Sequence, residues 1–464
     1  MRQLRLRFIQ AVALVLVLSL AACSGNGNHN ASSSNGRADG KPGEGSGQTP
    51  GSTEPQAAKI TWWAAWNEAD GPADIIKEFN KKYPHIEIEY VKFSNNDEGN
   101  VKIDTSLLAG LEIDVLMNFG LPRFIPRAEK GLLLDLTEYI QRDKLNMEEE
   151  FGSSVNTTDG KYFGLPASSL SNVVYFNETM LEAAGLQVPA EWTLEDYKEY
   201  ARKMTSGEGA NKIYGASDYA YVGLYYWTMP ARGLLGDNAW FKSDNEANFD
   251  HPVYKRALEF KYNLENVEKI QFPYTEFKAS KTLAEELFVQ GKVAMTAGSN
   301  SLTRFLKNEK DYPHDFRTTI APLPMLDRDQ DINYNKGLYP FSYLAINAKT
   351  KEKEASWTFA KWLATEGSIF LAKVGHIPSW TKTDKNALAD AMLGPNADKI
   401  MDVEAFKNVL LDYDSPAYKD TRLKAYSEVN AIIQGEAEKY LFDQISLDEA
   451  IANMKKNADD ALQK

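Results

Sequence analysis

The side chains with the most suggestive chemistry gather early in the chain. Trp62, Trp63 and Trp66 are followed at once by Asn67, Glu68 and Asp70. A flat indole buries the C–H face of a pyranose and leaves its hydroxyls to polar partners. Trp66 is the expected stacking face, with Asn67 and Glu68 as hydroxyl acceptors. A core place for Trp66 is the alternative, and Asp70 equally suits a helix cap. Trp62 and Trp63 are adjacent, so alternation along a strand sends them to opposite faces and at least one belongs to the core. Further on, Asn118 ends a short apolar strand and is a candidate hydroxyl contact. Tyr225 and Trp227 close the densest aromatic block, Tyr219 to Trp227, and form a second candidate platform. Arg232 is the natural partner should the ligand be acidic.

Little in the chain is equipped for making or breaking bonds. His85, His251, His314 and His376 are isolated from one another, and no metal-ligand spacing occurs. There is no Gly-x-Ser-x-Gly elbow and no phosphate loop. The enzyme alternative is a glycoside hydrolase with paired carboxylates. The non-enzyme alternative is a binder of peptides or polyamines, which the formal charge of −13 would suit. That charge argues against nucleic acid or an anionic membrane surface as partner. No cofactor is expected.

The elements around these residues read as an open α/β sheet. Lys59 to Tyr90 is strand, loop, helix and strand, with Ile75, Ile76 and Phe79 on one helix face and Pro84 beyond its end. Ligands in such sheets bind outside the carboxyl ends of the strands. A strand over 113–117 and a helix over 122–130 follow. Asp159-Gly160-Lys161 is a hairpin-type turn. Tyr162 to Pro166 and Asn172 to Asn177 are extended and joined by the polar Ser168-Ser169-Leu170-Ser171. Asn177 and Thr193 are positioned as helix N-caps. Helices are expected over 252–266, 277–290, 301–308 and 353–363, a strand over 338–347, and mostly helix from 387 to 462. This length exceeds one compact core, so two lobes are expected.

Before the folded part, Arg2, Arg5 and Arg7 precede the apolar run Phe8 to Leu20, the pattern of a secretory signal peptide over 1–22. Leu20-Ala21-Ala22-Cys23 resembles a bacterial lipoprotein box. Cys23 is the only cysteine, so it has no internal disulfide partner and is the expected lipidation site. More than one acyl chain anchors a protein stably to a membrane without spanning it. Residues 23–58, rich in Gly, Ser, Asn and Pro, form a flexible tether with a reach of roughly 30 to 35 Å.

Several blocks resemble the extracellular solute-binding proteins of bacterial ABC importers, the carbohydrate-binding group that includes maltose-binding protein. They are Lys59 to Phe79, Ile113-Asp114-Val115, Gly131 to Leu136, Asp159 to Pro166 with Tyr175-Phe176-Asn177, and Phe288 to Met295 with Gly298. The resemblance implies a two-lobe periplasmic-binding-protein-like α/β fold (type II). Each lobe is a mixed sheet flanked by helices, with the ligand cleft between lobes. Mapping the blocks puts crossings near Leu170, Leu323 and Ile377. Lobe 1 is then 59–170 plus 323–377, and lobe 2 is 171–322 plus 378–464. The resemblance further implies ligand contacts from Ser168 and Ser169 at a crossing and from the turn at Gly298 and Ser299. Tyr339, Phe341 and Trp380, near crossings, extend the set. The implied role is capture of a saccharide by hinge closure and delivery to membrane permease subunits. The protein is expected to act as a monomer on the outer face of the bacterial cell membrane, held there by its lipid.

Overall fold

The structure, a computed structural model, describes residues 56–111, 113–218, 226–329, 338–411 and 420–464. The leader, Cys23, almost all of the tether and Tyr225 lie outside them. The strands are β1 Ala58–Ala64, β2 Ile86–Lys92, β3 Val115–Phe119, β4 Leu165–Asn177, β5 Tyr214–Asp218, β6 Phe241–Ser243, β7 Glu246–Ala247, β8 Val293–Ser299, β9 Thr318–Pro322, β10 Leu338–Ile346 and β11 Ile377–Pro378.

β1 and β2 pair in parallel along their whole length, from Ala58 opposite Ile86 to Ala64 opposite Lys92. The helix Pro72–Lys82 joins them, and its Ile75 and Phe79 are buried. β3 pairs in parallel on the other side of β1, with Trp62 opposite Val115. All five residues of β3 are buried, as expected of a strand covered on both faces. β10 runs antiparallel between β3 and β4. The sheet order is β2-β1-β3-β10-β4-β8-β5, with β9 and β11 also on β4 and the ribbon β6-β7 apart.

β4 organises the molecule. From Leu165 to Ser171 it pairs with β10, and Ser168 and Ser169 also pair with β11. From Asn172 to Asn177 it pairs with β8 and β9. One strand therefore belongs to the sheets of both lobes. All thirteen of its residues are buried. Alternation divides its second half between two apolar clusters, with Val173 and Tyr175 on one face and Val174 and Phe176 on the other.

The serine run Ser168–Ser171 is strand, where the sequence suggested a polar joint. The Ser168 and Ser169 hydroxyls are bonded to residues of neighbouring segments, so polarity does not force the run to the surface. The strand expected over 113–117 begins at Val115, which moves Asn118 from a strand end into the strand itself. The helix expected over 301–308 is a short turn, Asn300–Leu302, and four helical residues, Thr303–Leu306. Local chemistry elsewhere acts as expected. Asp159 and Gly160 both have left-handed backbone, φ 52° and 74°, and bridge Thr158 to Lys161. Thr193 and Asp196 form a reciprocal capping box.

Candidate functional site

Where β4 passes between its two sets of partners, side chains from distant parts of the chain converge. The Ser168 hydroxyl bonds to the Ser342 hydroxyl and, at 2.8 Å, to His376 Nδ1. Ser169 Oγ meets Ser154 Oγ at 3.2 Å and Ser379 Oγ at 3.1 Å. His376 is buried. Burial, with a smaller push from Arg304, lowers its pKa from 6.5 to about 3, so the ring is neutral at physiological pH. Aromatic rings surround it: Trp66 at 5.2 Å, Phe341 at 5.6 Å and Phe119 at 6.2 Å between centroids. Trp66 also meets Phe119 edge-on at 5.4 Å. Trp66, Ser168 and Phe341, far apart in sequence, thus share one neighbour.

The turn after β8 is bound to this junction through Asn300. Its Oδ1 accepts from the Ser171 backbone N–H at 2.7 Å, and its Nδ2 donates to the Gly375 carbonyl at 2.7 Å. Gly375 has φ 80°, and a Cβ there would lie 3.1 Å from Ser301 Cα. The close approach of the turn therefore needs a glycine. Gly298 differs. A Cβ on it would meet nothing within 4 Å, so there is room beside this buried residue.

Several expected roles need correction. Trp66 is only 4% exposed, so its faces are taken up by packing and none lies open for stacking. The alternative core place is the observed one. Asn118 is fully buried, and its Oδ1 accepts from Arg127 Nη1 at 2.8 Å, a structural bond inside the lobe. Trp227 is 4% exposed and stands edge-on to Tyr254, which likewise closes it as a platform. Ser299 Oγ bonds to Ser301 Oγ at 2.6 Å and caps its own turn by accepting from the Ser301 backbone N–H. Arg232 is not available to an acidic ligand. It is buried against Asp420, with Nη2–Oδ2 at 2.9 Å, and lies 4.8 Å from the Trp240 ring centre. Gly71, and not Asp70, stands at the cap of the first helix.

The remaining candidates keep open surface. Asn67 and Glu68 are exposed. Asn67 donates to Asp70 at 2.8 Å and accepts from Lys92 at 2.6 Å. Phe341 and Trp380 are half-buried, and the Trp380 indole N–H donates to Glu150. Trp62 is fully buried and Trp63 partly exposed, as alternation requires. His376 and Asn300 were not singled out from the sequence as site residues. The available signal was their position, His376 one residue before a crossing and Asn300 beside the Gly298 turn.

This architecture, two lobes sharing a central strand with a polar and aromatic junction on it, is that of a bacterial solute-binding protein. The chain belongs to the bacterial extracellular solute-binding protein family, whose model matches residues 65–368. It is 23% identical over 316 residues to a maltotriose-binding protein of Pyrococcus abyssi, covering 67% of this chain. The match spans 64% of that relative's own length, less than two thirds of it. It is 22% identical over 317 residues to a galactooligosaccharide-binding protein of Bacillus subtilis, covering 67% of this chain and 70% of that protein. Among solved structures it is similar to an ABC substrate-binding protein of Listeria monocytogenes in complex with cycloalternan. The TM-score is 0.72 at 22% identity, covering 88% of this chain and 100% of the other. A maltose-bound protein of T. maritima superposes with TM-score 0.68 at 22% identity, covering 86% and 98%.

Proposed function

We propose that this protein captures a saccharide between its two lobes by hinge closure and delivers it to the membrane permease of an ABC importer. It changes no bond in its ligand. The observation that carries this reading is β4, whose two halves pair into different sets of strands while the junction between them holds the polar and aromatic cluster around His376. A strand shared in this way lets two rigid bodies rotate about a few residues. A ligand that contacts both lobes binds the closed form better and shifts the population toward it. The proposed boundaries are 59–170 plus 323–377 for lobe 1 and 171–322 plus 378–464 for lobe 2. The proposed direct contacts are Asn67, Glu68, Phe341 and Trp380, which keep open surface, and the backbone at Gly298, which is buried but has room beside it where a side chain would stand. Trp66 and Ser168 support them from behind through His376. The saccharides named for the similar proteins favour a sugar over a peptide or polyamine. Cys23 anchors the protein by lipid to the outer face of the membrane, where it works as a monomer.

The test is a thermal-shift panel on the soluble fragment Thr53–Lys464 with mono- and oligosaccharides, peptides and spermidine. One saccharide should stabilise the fragment by about 2.7 kcal/mol at 100 times its Kd. Stabilisation by spermidine and by no saccharide refutes the proposal. Release of product from an oligosaccharide would favour a hydrolase.

A further inference from the structure

Arg304 stands apart from the other arginines of the fold. Each of the others among the described residues meets a carboxylate at 3.6 Å or closer. Arg304 meets none, and its guanidinium N–H groups have no acceptor among the described residues. The guanidinium lies over the Phe305 ring, 4.9 Å from the ring centre. Acids are not scarce in this chain, since Asp and Glu total 65 against 52 Lys and Arg. The side chain is also half-buried, and a charge that loses water without gaining an anion is unfavourable. A cation–π contact is a weaker replacement than a charge-assisted hydrogen bond.

The place is the gap between the lobes. Arg304 belongs to the short helix Thr303–Leu306, which begins just after Asn300 ties its turn to Ser171 and Gly375. Its charge reaches the His376 ring, where it adds to the effect of burial. Tyr312 stands on the other side, its ring 4.8 Å from that of Phe305. Burial and nearby acids, Asp70 among them, raise the Tyr312 pKa, and Arg304 opposes them. Asp70 sits in the exposed lobe-1 loop of Asn67 and Glu68. Three residues beyond Arg304, Lys307 donates to the Lys373 carbonyl across the same gap. Burial and the Lys373 charge lower the Lys307 pKa to about 8, with Asp70 acting against them, so Lys307 is mostly protonated at neutral pH. Lys373 itself is paired with Asp74. Of the three donors of an ammonium, Lys307 commits one to that carbonyl. Two cations three residues apart are neighbours on one side of a helix, and these two border the gap with donors to spare.

The chemistry that fits them is an oxyanion. A guanidinium is a planar fork of donors that matches a carboxylate, sulfate or phosphate in bidentate fashion, and an ammonium adds a point charge. A neutral hydroxyl brings no charge to offset the desolvation of Arg304, and a polyamine would be repelled. We propose that Arg304, with Lys307 beside it, binds an oxyanion carried by the captured saccharide, so that the ligand is an acidic sugar. The assignment rests on the saccharide reading above and adds to it the substrate class and the residue that selects it. Arg304 fills the part for which Arg232, committed to Asp420, is not available.

The test uses Thr53–Lys464, which contains every described residue, with 15N-labelled arginine. It is titrated in turn with glucuronate, galacturonate, glucose 6-phosphate, glucose 6-sulfate, neutral glucose and maltotriose, and inorganic phosphate. Calorimetry and the Arg304 Nε–H resonance are the readouts, and Arg304→Gln assigns that resonance. Arg202→Gln is the control, removing the same charge from an exposed ion pair of the same lobe. The expected result is that an acidic sugar binds more tightly than its neutral counterpart and moves the Arg304 resonance. Arg304→Gln should weaken that binding about ten- to hundredfold, the range of a charge-assisted hydrogen bond. Arg304→Lys should recover part of the loss, and Arg202→Gln should leave affinity within about twofold because exposed charges are screened. The acidic probe that binds separates carboxylate, phosphate and sulfate. Binding of neutral sugars alone overturns the subsite and leaves the saccharide reading standing. So does an equal loss of neutral and acidic binding in Arg304→Gln, which would make Arg304 a partner of lobe 1 on closure. A resonance moved by inorganic phosphate and by no sugar marks an adventitious ion only and overturns the subsite. No binding of any sugar overturns both readings.

Discussion

Replacing Trp66 with Ala tests where the first aromatic cluster belongs. Trp66 is 4% exposed and meets Phe119 and His376 edge-on at 5.4 and 5.2 Å. Truncating a buried Trp to Ala costs about 3–5 kcal/mol through lost transfer energy and the cavity left behind. Edge-on aromatic pairs account for about 0.5–1.5 kcal/mol each beyond burial, so the two contacts are a substantial part of that loss. The Trp66 backbone carbonyl accepts from Tyr90 Oη at 2.7 Å, a bond that Ala retains, which isolates the effect of the ring. The assay is urea unfolding of ligand-free Thr53–Lys464. Trp66→Ala should lose about 3–5 kcal/mol, and Trp66→Phe should recover more than half of the loss because an edge can still reach His376. A Trp66→Ala protein within 1 kcal/mol of wild type whose sugar affinity falls at least tenfold would refute the packing argument. It would return Trp66 to the role of an open stacking face.

The other expectations concern the same junction and the buried charges. The His376 pKa is lowered by burial to about 3, so the unfolded chain binds the extra proton first as pH falls below 6.5. Stability from His376 is complete above pH 6.5 and is lost as pH falls toward 3, which amounts to about 2–3 kcal/mol between pH 7.5 and 4.5. Unfolding at the two pH values should show that increment in wild type and not in His376→Gln. Asp420→Asn removes the carboxylate that Arg232 Nη2 meets at 2.9 Å in the interior and should cost about 3–5 kcal/mol in the same assay. A near-neutral outcome would mean that the pair is open to water. Asn300→Ala removes the acceptor of the Ser171 N–H and the donor to the Gly375 carbonyl, so hydrogen exchange at the Ser171 amide should accelerate at least tenfold. Unchanged protection there would show that the bridge does not hold the junction.

What could be read from the sequence, and what could not, separates by the range of the interaction. The strand, helix and strand of Lys59 to Tyr90, the left-handed turn at Asp159-Gly160 and the Thr193 cap depend on neighbours within a few residues, and they form as local chemistry dictates. The serine run in β4 did not yield to the same logic. Its partners Ser342 and His376 lie 174 and 208 residues further along, and nothing local distinguishes a hydroxyl that faces water from one that faces another strand. The aromatic residues are ambiguous in sequence for a related reason. A strand-end tryptophan suggests a ligand face because an indole suits a sugar ring, but an indole suits another aromatic edge just as well. Trp66 found Phe119 and His376, and Trp227 found Tyr254. Residue type therefore marks where the aromatic walls stand, while burial decides which ring is wall and which is foundation. By that criterion Phe341 and Trp380 are the rings that keep surface, while Trp66 packs edge-on against His376, which in turn bonds the Ser168 hydroxyl.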